Sequence, residues 1–285
     1  MAADRTISEE MTIVCLSGRM PFLRLAILRK IFLIRKNHST FTHYSIAFVP
    51  NDKGKMRDII VKILTRLGLY KSVVSMINRL KSHVQAKRMK KHGLEMLREA
   101  DRVMCGMDIH PFLTYGILLG ACREKNFISY DFDIDLGVLS SEVTDKMREK
   151  METAGFKLYK QIYIKESNRI VEETYVYKKL YLDIFYYFED GDDLYSVISR
   201  LHETKEWKEA NETDGFPTDR SYVPKTEFER IDFLGVSVYK PVKSHEWLTD
   251  IYSDSYMTPI KNWRASDYKT RIVHGEDRTY RRYFS

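Results

Sequence analysis

Residues 115–138 read YGILLGACREKNFISYDFDIDLGV, and the order of residue types in this stretch decides the fold. From Asp131 to Leu136 acidic and apolar residues alternate. Side chains on a strand point to opposite faces with a period of two. The segment is therefore predicted to be a strand with Asp131, Asp133 and Asp135 on one face, Phe132, Ile134 and Leu136 on the other, and Gly137 at its end. One face packs and the other binds.

Carboxylates two residues apart on one strand face stand side by side, where they repel and tend to take up protons. A divalent cation relieves that repulsion. Magnesium takes hard oxygen ligands, often one or two carboxylates completed by phosphate oxygens, so this pattern suits a metal–phosphate substrate better than a closed protein cage. Taken alone, an acidic alternation is more often a solvated strand edge. Its neighbours change that reading. Upstream, Gly116 and Gly120 bracket Leu118 and Leu119, followed by Ala121 and Arg123. Small residues let backbone N–H groups approach a phosphate, and a guanidinium grips one bidentately.

The run Tyr115-Gly116-x-Leu118-Leu119-Gly120-Ala121-x-Arg123, then Phe127-Ile128, then Asp131-x-Asp133-Ile134-Asp135-Leu136-Gly137 resembles the LicD/fukutin family of phosphotransferases. Further matches follow in order. Tyr181-Leu182-Asp183-Ile184-Phe185 resembles a later strand of that family, and Tyr239-Lys240-Pro241 through Trp247-Leu248, Tyr252 and Tyr256-Met257-x-Pro259 resembles its closing segment. The chain departs from the pattern at Ile117, Ser129-Tyr130 and Phe132. The resemblance implies an α/β (α+β) fold, a nucleotidyltransferase-like mixed sheet with flanking helices. It also implies a metal site of Asp133, Asp135 and Asp183 holding Mg²⁺ or Mn²⁺, with Asp183 as third ligand or base and Asp131 as a cap or a supporting neighbour. Gly116, Gly120, Ala121 and Arg123 are the expected nucleotide and phosphate contacts.

The implied activity is transfer of a substituted phosphate, of the phosphocholine, ribitol phosphate or glycerol phosphate type, from a CDP-activated alcohol such as CDP-choline or CDP-ribitol. The acceptor would be a hydroxyl of a glycan or glycolipid, and CMP would be lost. Two alternatives stand beside it: nucleotidyl transfer from an NTP to a hydroxylated acceptor, and an inactive glycan- or membrane-binding homologue.

Composition fits a folded enzyme. The 285 residues are 44% hydrophobic and 13% aromatic, enough to bury a proper core, and the formal net charge of +7 favours an anionic partner. Cys15, Cys105 and Cys122 are odd in number and lack metal-site spacing, which argues for a reducing compartment. Arg24, Arg29, Lys30, Arg35 and Lys36 interrupt the apolar stretch after Met20, so neither a secretory signal nor a spanning helix is expected there. Together these favour a cytoplasmic enzyme, with peripheral contact at the inner face of a membrane left open.

The chain is expected to divide near residue 90. Residues 1–90 form an accessory region, with strands at Thr12 to Leu16 and Tyr44 to Val49 followed by helices Met56 to Leu67 and Lys71 to Leu80; residues 91–285 form the catalytic domain. Within the latter, Ser140 to Ala154 reads as a helix, Phe156 to Ile164 and Thr174 to Phe188 as strands, and Asp190-Gly191-Asp192-Asp193 as a hairpin turn. The segment Trp207 to Pro217 is a candidate cover for an acceptor glycan. Basic and aromatic residues interleave from Trp263 to Phe284, but without an accompanying RNA-binding module nucleic acid is disfavoured as a partner.

Overall fold

The structure, a computed structural model, describes residues 61–62, 64–66, 68–200, 204–260 and 271–284. The expected strands at Thr12 to Leu16 and Tyr44 to Val49 and the basic apolar stretch after Met20 lie outside the described residues. The chain divides into two compact units, Met1–Asn78 and Arg79–Ser285, and the site lies wholly within the second. Among the described residues no helix is long and apolar enough to cross a membrane.

The fold is mixed α/β. Helix α1 (Tyr70–Cys105) leads to strand β1 (Phe112–Leu113), helix α2 (Tyr115–Arg123) and strand β2 (Asp133–Leu139). Helix α3 (Met147–Thr153) is followed by β3 (Lys157–Ile164), β4 (Arg169–Tyr177), β5 (Leu180–Asp190) and β6 (Asp193–Ser199). Then come α4 (Trp207–Glu212), β7 (Phe216–Pro224), β8 (Phe228–Phe233), β9 (Val236–Pro241), α5 (Ser244–Tyr252) and β10 (Ile272–Tyr283).

The ten strands form one sheet in the order β4-β3-β10-β7-β6-β5-β2-β1-β9-β8, and β4 also pairs with β5. That last pairing closes β3, β4, β5, β6, β7 and β10 into a barrel-like ring, leaving β2, β1, β9 and β8 as an open wing. A long β5 makes this possible. Its first half pairs with β2 on one side and β4 on the other, and its last three residues turn to β6.

Several local expectations change. The strand expected from Thr174 to Phe188 is a hairpin, β4 and β5, joined at Lys178 and Lys179, which carry φ of 48° and 68°. Two consecutive left-handed residues define the tight turn that suits strand twist, but Asn-Gly is its usual signature, and two lysines hide it. Helix α3 begins at Met147, since residues 140–146 are mostly spent in turns. Gly137 does not end β2. It lies in mid-strand, and a Cβ there would run into the Phe112 ring of β1. Lys71 to Leu80 and the basic stretch beyond it form one helix. The turn at residues 191–192 is a hairpin, with Asp190 opposite Asp193 and Gly191 at φ 61°.

The core sits between this sheet and the helices. Met96, Leu97, Ala100 and Met104 of α1 are fully buried, as are Leu118 of α2 and Trp247 of α5. Trp247 stacks on Tyr187 at 5.4 Å, meets the edge of Phe112 at 5.6 Å, and donates its indole N–H to the Pro224 carbonyl at 2.9 Å. Each aromatic body is buried and each polar tip paired, the condition for such residues to sit in a core.

Candidate metal and nucleotide site

Strands β2 and β5 run parallel with Asp133 opposite Tyr181 and Asp135 opposite Asp183. Residues in register share a face, so the alternation in both strands puts their carboxylates on one side. One oxygen each from Asp131, Asp133 and Asp135 lies within 4.8 Å of the others, a spacing open to a metal ion. Asp131 precedes β2, whose first residue is Asp133; it sits in the turn closed by its own N–H to the Ile128 carbonyl. The residue read as a cap or support is thus one of the grouped three, and Asp183 stands outside that group.

Asp183 accepts a hydrogen bond from Thr174 Oγ1 at 2.5 Å, across the β4–β5 pair. It does not pair with Lys178, whose ammonium bonds Glu95 instead. On β3, Lys160 bonds Glu172 at 2.7 Å, and both charges act on Asp183. Lys160, Glu172 and Thr174 went unrecognised in the sequence because their relation to Asp183 exists only through strand register. The β-branched and aromatic run Ile170 to Tyr177 was the available signal that a separate strand starts before Thr174.

The electrostatics record crowded acids in a dry place. Burial, followed by the Asp131 carboxyl beside it, pushes Asp133 up to about 7. Burial and then the charge of Glu172 push Asp183 up to about 7, against the pull of Lys160 and Thr174. Asp135 is raised well above the usual carboxylate range by burial and by Asp133, Asp183 and Asp131, opposed by the Gly116 amide. Like charges held together out of water are what a cation would relieve.

Helix α2 starts at this cluster. Tyr115 opens it at φ 42°, a costly conformation for a bulky residue, fixed by its ring against Phe185 at 4.6 Å and its hydroxyl on Ser196 at 2.6 Å. Gly116 follows and donates its N–H to Asp135 Oδ2 at 3.1 Å. A Cβ at 116 would collide with Asp131 Oδ2 and come within 3.2 Å of Asp135 Oδ2. The smallness of Gly116 therefore serves the carboxylates, where phosphate approach had been expected. Gly120 and Ala121 are buried in α2; a Cβ on Gly120 would lie 2.5 Å from the Asn126 carbonyl, so that glycine serves the turn after the helix.

Arg123 closes α2. It reaches the Tyr256 carbonyl at 3.2 Å and Glu124 at 2.8 Å, while its Nε is buried with no hydrogen-bond partner among the described residues. A cleft of about 710 Å³ opens here, bordered by Gly116, Arg123, Asp131, Tyr130, Tyr252 and Tyr256. The glycine segment, the acidic turn and the closing segment, read separately in the sequence, thus meet at one opening. Cys105 and Cys122 are free thiols held above their ordinary pKa by burial, which makes them poor nucleophiles.

Residues 108–243 match the family described as "LicD/FKTN/FKRP, nucleotidyltransferase domain". That stretch of the second unit is thus similar to a LicD/FKTN-type nucleotidyltransferase domain and takes in β1, α2, β2 and β5, which carry the site. Among curated proteins, similarity extends to those named "Ribitol-5-phosphate transferase FKTN" from Macaca fascicularis, Homo sapiens and Mus musculus, which are 23%, 22% and 23% identical over 180 residues. Those residues make up 63% of this chain but 36% of each relative, so the match spans about a third of the relatives' length.

Proposed function

We propose that the protein is a metal-dependent phosphotransferase that moves a substituted phosphate from a CDP-activated alcohol to a hydroxyl of a glycan or glycolipid, releasing CMP. The observation that carries this reading is the grouping of Asp133 and Asp135 with Asp131, which borders one cleft together with Gly116 and Arg123. The names of the similar proteins supply the phosphoalcohol class.

The donor set fits magnesium: hard carboxylate oxygens, three of them grouped, of which Asp133 and Asp135 are raised in pKa by burial and by the carboxyls beside them. Asp131, Asp133 and Asp135 would hold the ion, which when bound offsets charge on the diphosphate and on the departing phosphate. The Gly116 amide keeps Asp135 oriented. Arg123, tethered to Tyr256, faces the cleft that takes the nucleotide, and Tyr130 and Tyr256 offer rings for the base.

Asp183 suits the proton transfer. Its carboxyl is raised to about 7, close to a working pH, with Thr174 fixing one oxygen and Lys160 limiting the shift. The acceptor hydroxyl oxygen bonds to the phosphorus bearing the alcohol as its proton passes to Asp183. The bond from that phosphorus to the bridging oxygen breaks, and CMP leaves with the electron pair. Arg123 would offset the charge on CMP, together with the ion that Asp131, Asp133 and Asp135 would hold.

Thermal shift with CDP, CDP-ribitol, CDP-glycerol, CDP-choline and ATP, each with and without Mg²⁺, tests the reading. Stabilisation by cytidine diphosphates that requires Mg²⁺ is expected; a preference for ATP would transfer the site to nucleotidyl chemistry, and indifference to every nucleotide would overturn it.

A further inference from the structure

Four large aromatic side chains lie exposed in one file that begins beside the carboxylates. Tyr181 is the register partner of Asp133 and is 37% exposed. Its ring lies 5.7 Å from Tyr159, which lies 5.6 Å from Tyr283, which lies 6.0 Å from Trp207. Tyr159, Tyr283 and Trp207 are 40%, 43% and 44% exposed. They come from β5, β3, β10 and the start of α4, four separate places in the sequence. Large apolar groups scattered singly on a surface need no explanation, but a contiguous file does.

From this file we infer an acceptor-binding track for a sugar chain, running from Trp207 to the reacting group at Asp183; the inference rests on the phosphotransferase reading. Three observations choose a glycan as the occupant. The rings meet tilted or edge to face, with interplanar angles of 56°, 73° and 64°, and each keeps more than a third of its surface exposed, which is available to the C–H faces of pyranoses. The ring-to-ring steps are close to the length of one sugar unit.

The second observation is the groove of about 590 Å³ beside Tyr283, which is lined by Arg148, Glu152 and Lys157 as well as Phe156 and Phe284. Rings flanked by charged hydrogen-bonding groups suit a hydroxylated ligand, whereas a protein partner prefers an anchor whose centre is depleted of charge. The third is position. The nucleotide cleft is bordered by α2 and by Asp131 in the turn before β2, and the file starts on β5, the strand paired with β2. A donor in the cleft and a chain end on the file would meet at Asp133 and Asp183.

The experiment is glycan-array binding by the full chain in EDTA without nucleotide, comparing wild type, Trp207→Ala and Tyr159→Ala, with affinities for the bound glycan then measured by calorimetry. Each substitution removes an exposed ring, so the fold should survive, and the Mg²⁺–CDP thermal shift reports that it has. The expected result is a defined oligosaccharide bound by wild type and held about tenfold more weakly by each variant, the scale of losing an aromatic anchor, with the Mg²⁺–CDP shift unchanged. No glycan bound by wild type, or equal binding by the variants, would overturn the track while leaving the nucleotide reading standing. Conversion of a wild-type dimer to a monomer by both substitutions, without glycan binding, would overturn it in favour of a second copy of the chain. Glycan binding through the file with no response to any nucleotide would uphold the track and overturn the transferase reading.

Discussion

Replacing Asp135 by Asn should make the metal-free protein more stable while abolishing its response to Mg²⁺. Asp135 lies among Asp131 and Asp133 with ligand oxygens within 4.8 Å, so an ionised neighbour at that distance repels it by about 3.5 kcal/mol at an effective dielectric near 20. The alternative is to bind a proton on folding. From the ordinary value of 3.8, that costs about 6 kcal/mol at about pH 8, at about 1.4 kcal/mol per unit. The chain takes the cheaper route, so the site costs at least about 3 kcal/mol at one charged neighbour. Asparagine keeps the acceptor for the Gly116 N–H but loses the charge that strengthens it, worth about 1 kcal/mol. The net gain is therefore about 2–3 kcal/mol in EDTA at about pH 8, which is roughly 4–12 °C in Tm for a domain of this size. Chemical denaturation in EDTA measures it, and the gap should narrow as the pH falls and close below about pH 3, where the carboxyls are protonated in the folded and the unfolded state alike. Added Mg²⁺ should then raise wild type and leave the variant where it was. An Asp135→Asn protein less stable than wild type in EDTA would refute the reasoning, because it would mean that the carboxylate supports the fold.

The same acids set the pH dependence of the metal-free protein. Asp133 and Asp183 have folded values near 7, above their ordinary 3.8, so the folded state holds more protons between those limits; stability should fall as pH rises from about 4 to about 7, as read by denaturation across that range. Glu95, drawn down to about 2 by Lys178 and His92, acts only below that window. Stability rising from pH 5 to 7 in EDTA would contradict this assignment. Gly137→Ala drives a Cβ into the Phe112 ring and should cost about 1–3 kcal/mol by overpacking, measured as a lowered denaturation midpoint with an unchanged slope. Lys179→Gly relieves a left-handed residue at φ 68° and should stabilise the β4–β5 hairpin by about 0.5–1 kcal/mol; a loss of stability would show that the lysine side chain, not the backbone, matters there.

How much was legible depended on whether a residue's role is local or depends on register. The alternation from Asp133 to Leu136 and the apolar neighbours of Asp183 speak for themselves, because a period of two is visible within one strand. The pairing Asp135–Asp183 that joins them follows once the two strands are parallel neighbours. Barrel closure was not legible. It needs β10, drawn from the basic and aromatic C-terminal segment, to fill the space between β3 and β7, and nothing local marks that segment as a central strand. The glycines were visible as requirements for smallness but not for what they approach. Gly116 faces carboxylates, Gly120 a backbone carbonyl and Gly137 an aromatic ring, partners set only by the packed structure. Asp131 was undervalued because a strand pattern cannot show a turn folding its first acid back toward the next two.

The central claim is tested most directly by incubating the full chain with Mg²⁺, a CDP-activated alcohol and a glycan acceptor, and following the products by ³¹P NMR and mass spectrometry. The account predicts CMP and a phosphodiester-linked alcohol on the glycan, both abolished by Asp133→Asn and by EDTA. Release of pyrophosphate from an NTP with the nucleotide left on the acceptor, or turnover undiminished in Asp133→Asn, would contradict it.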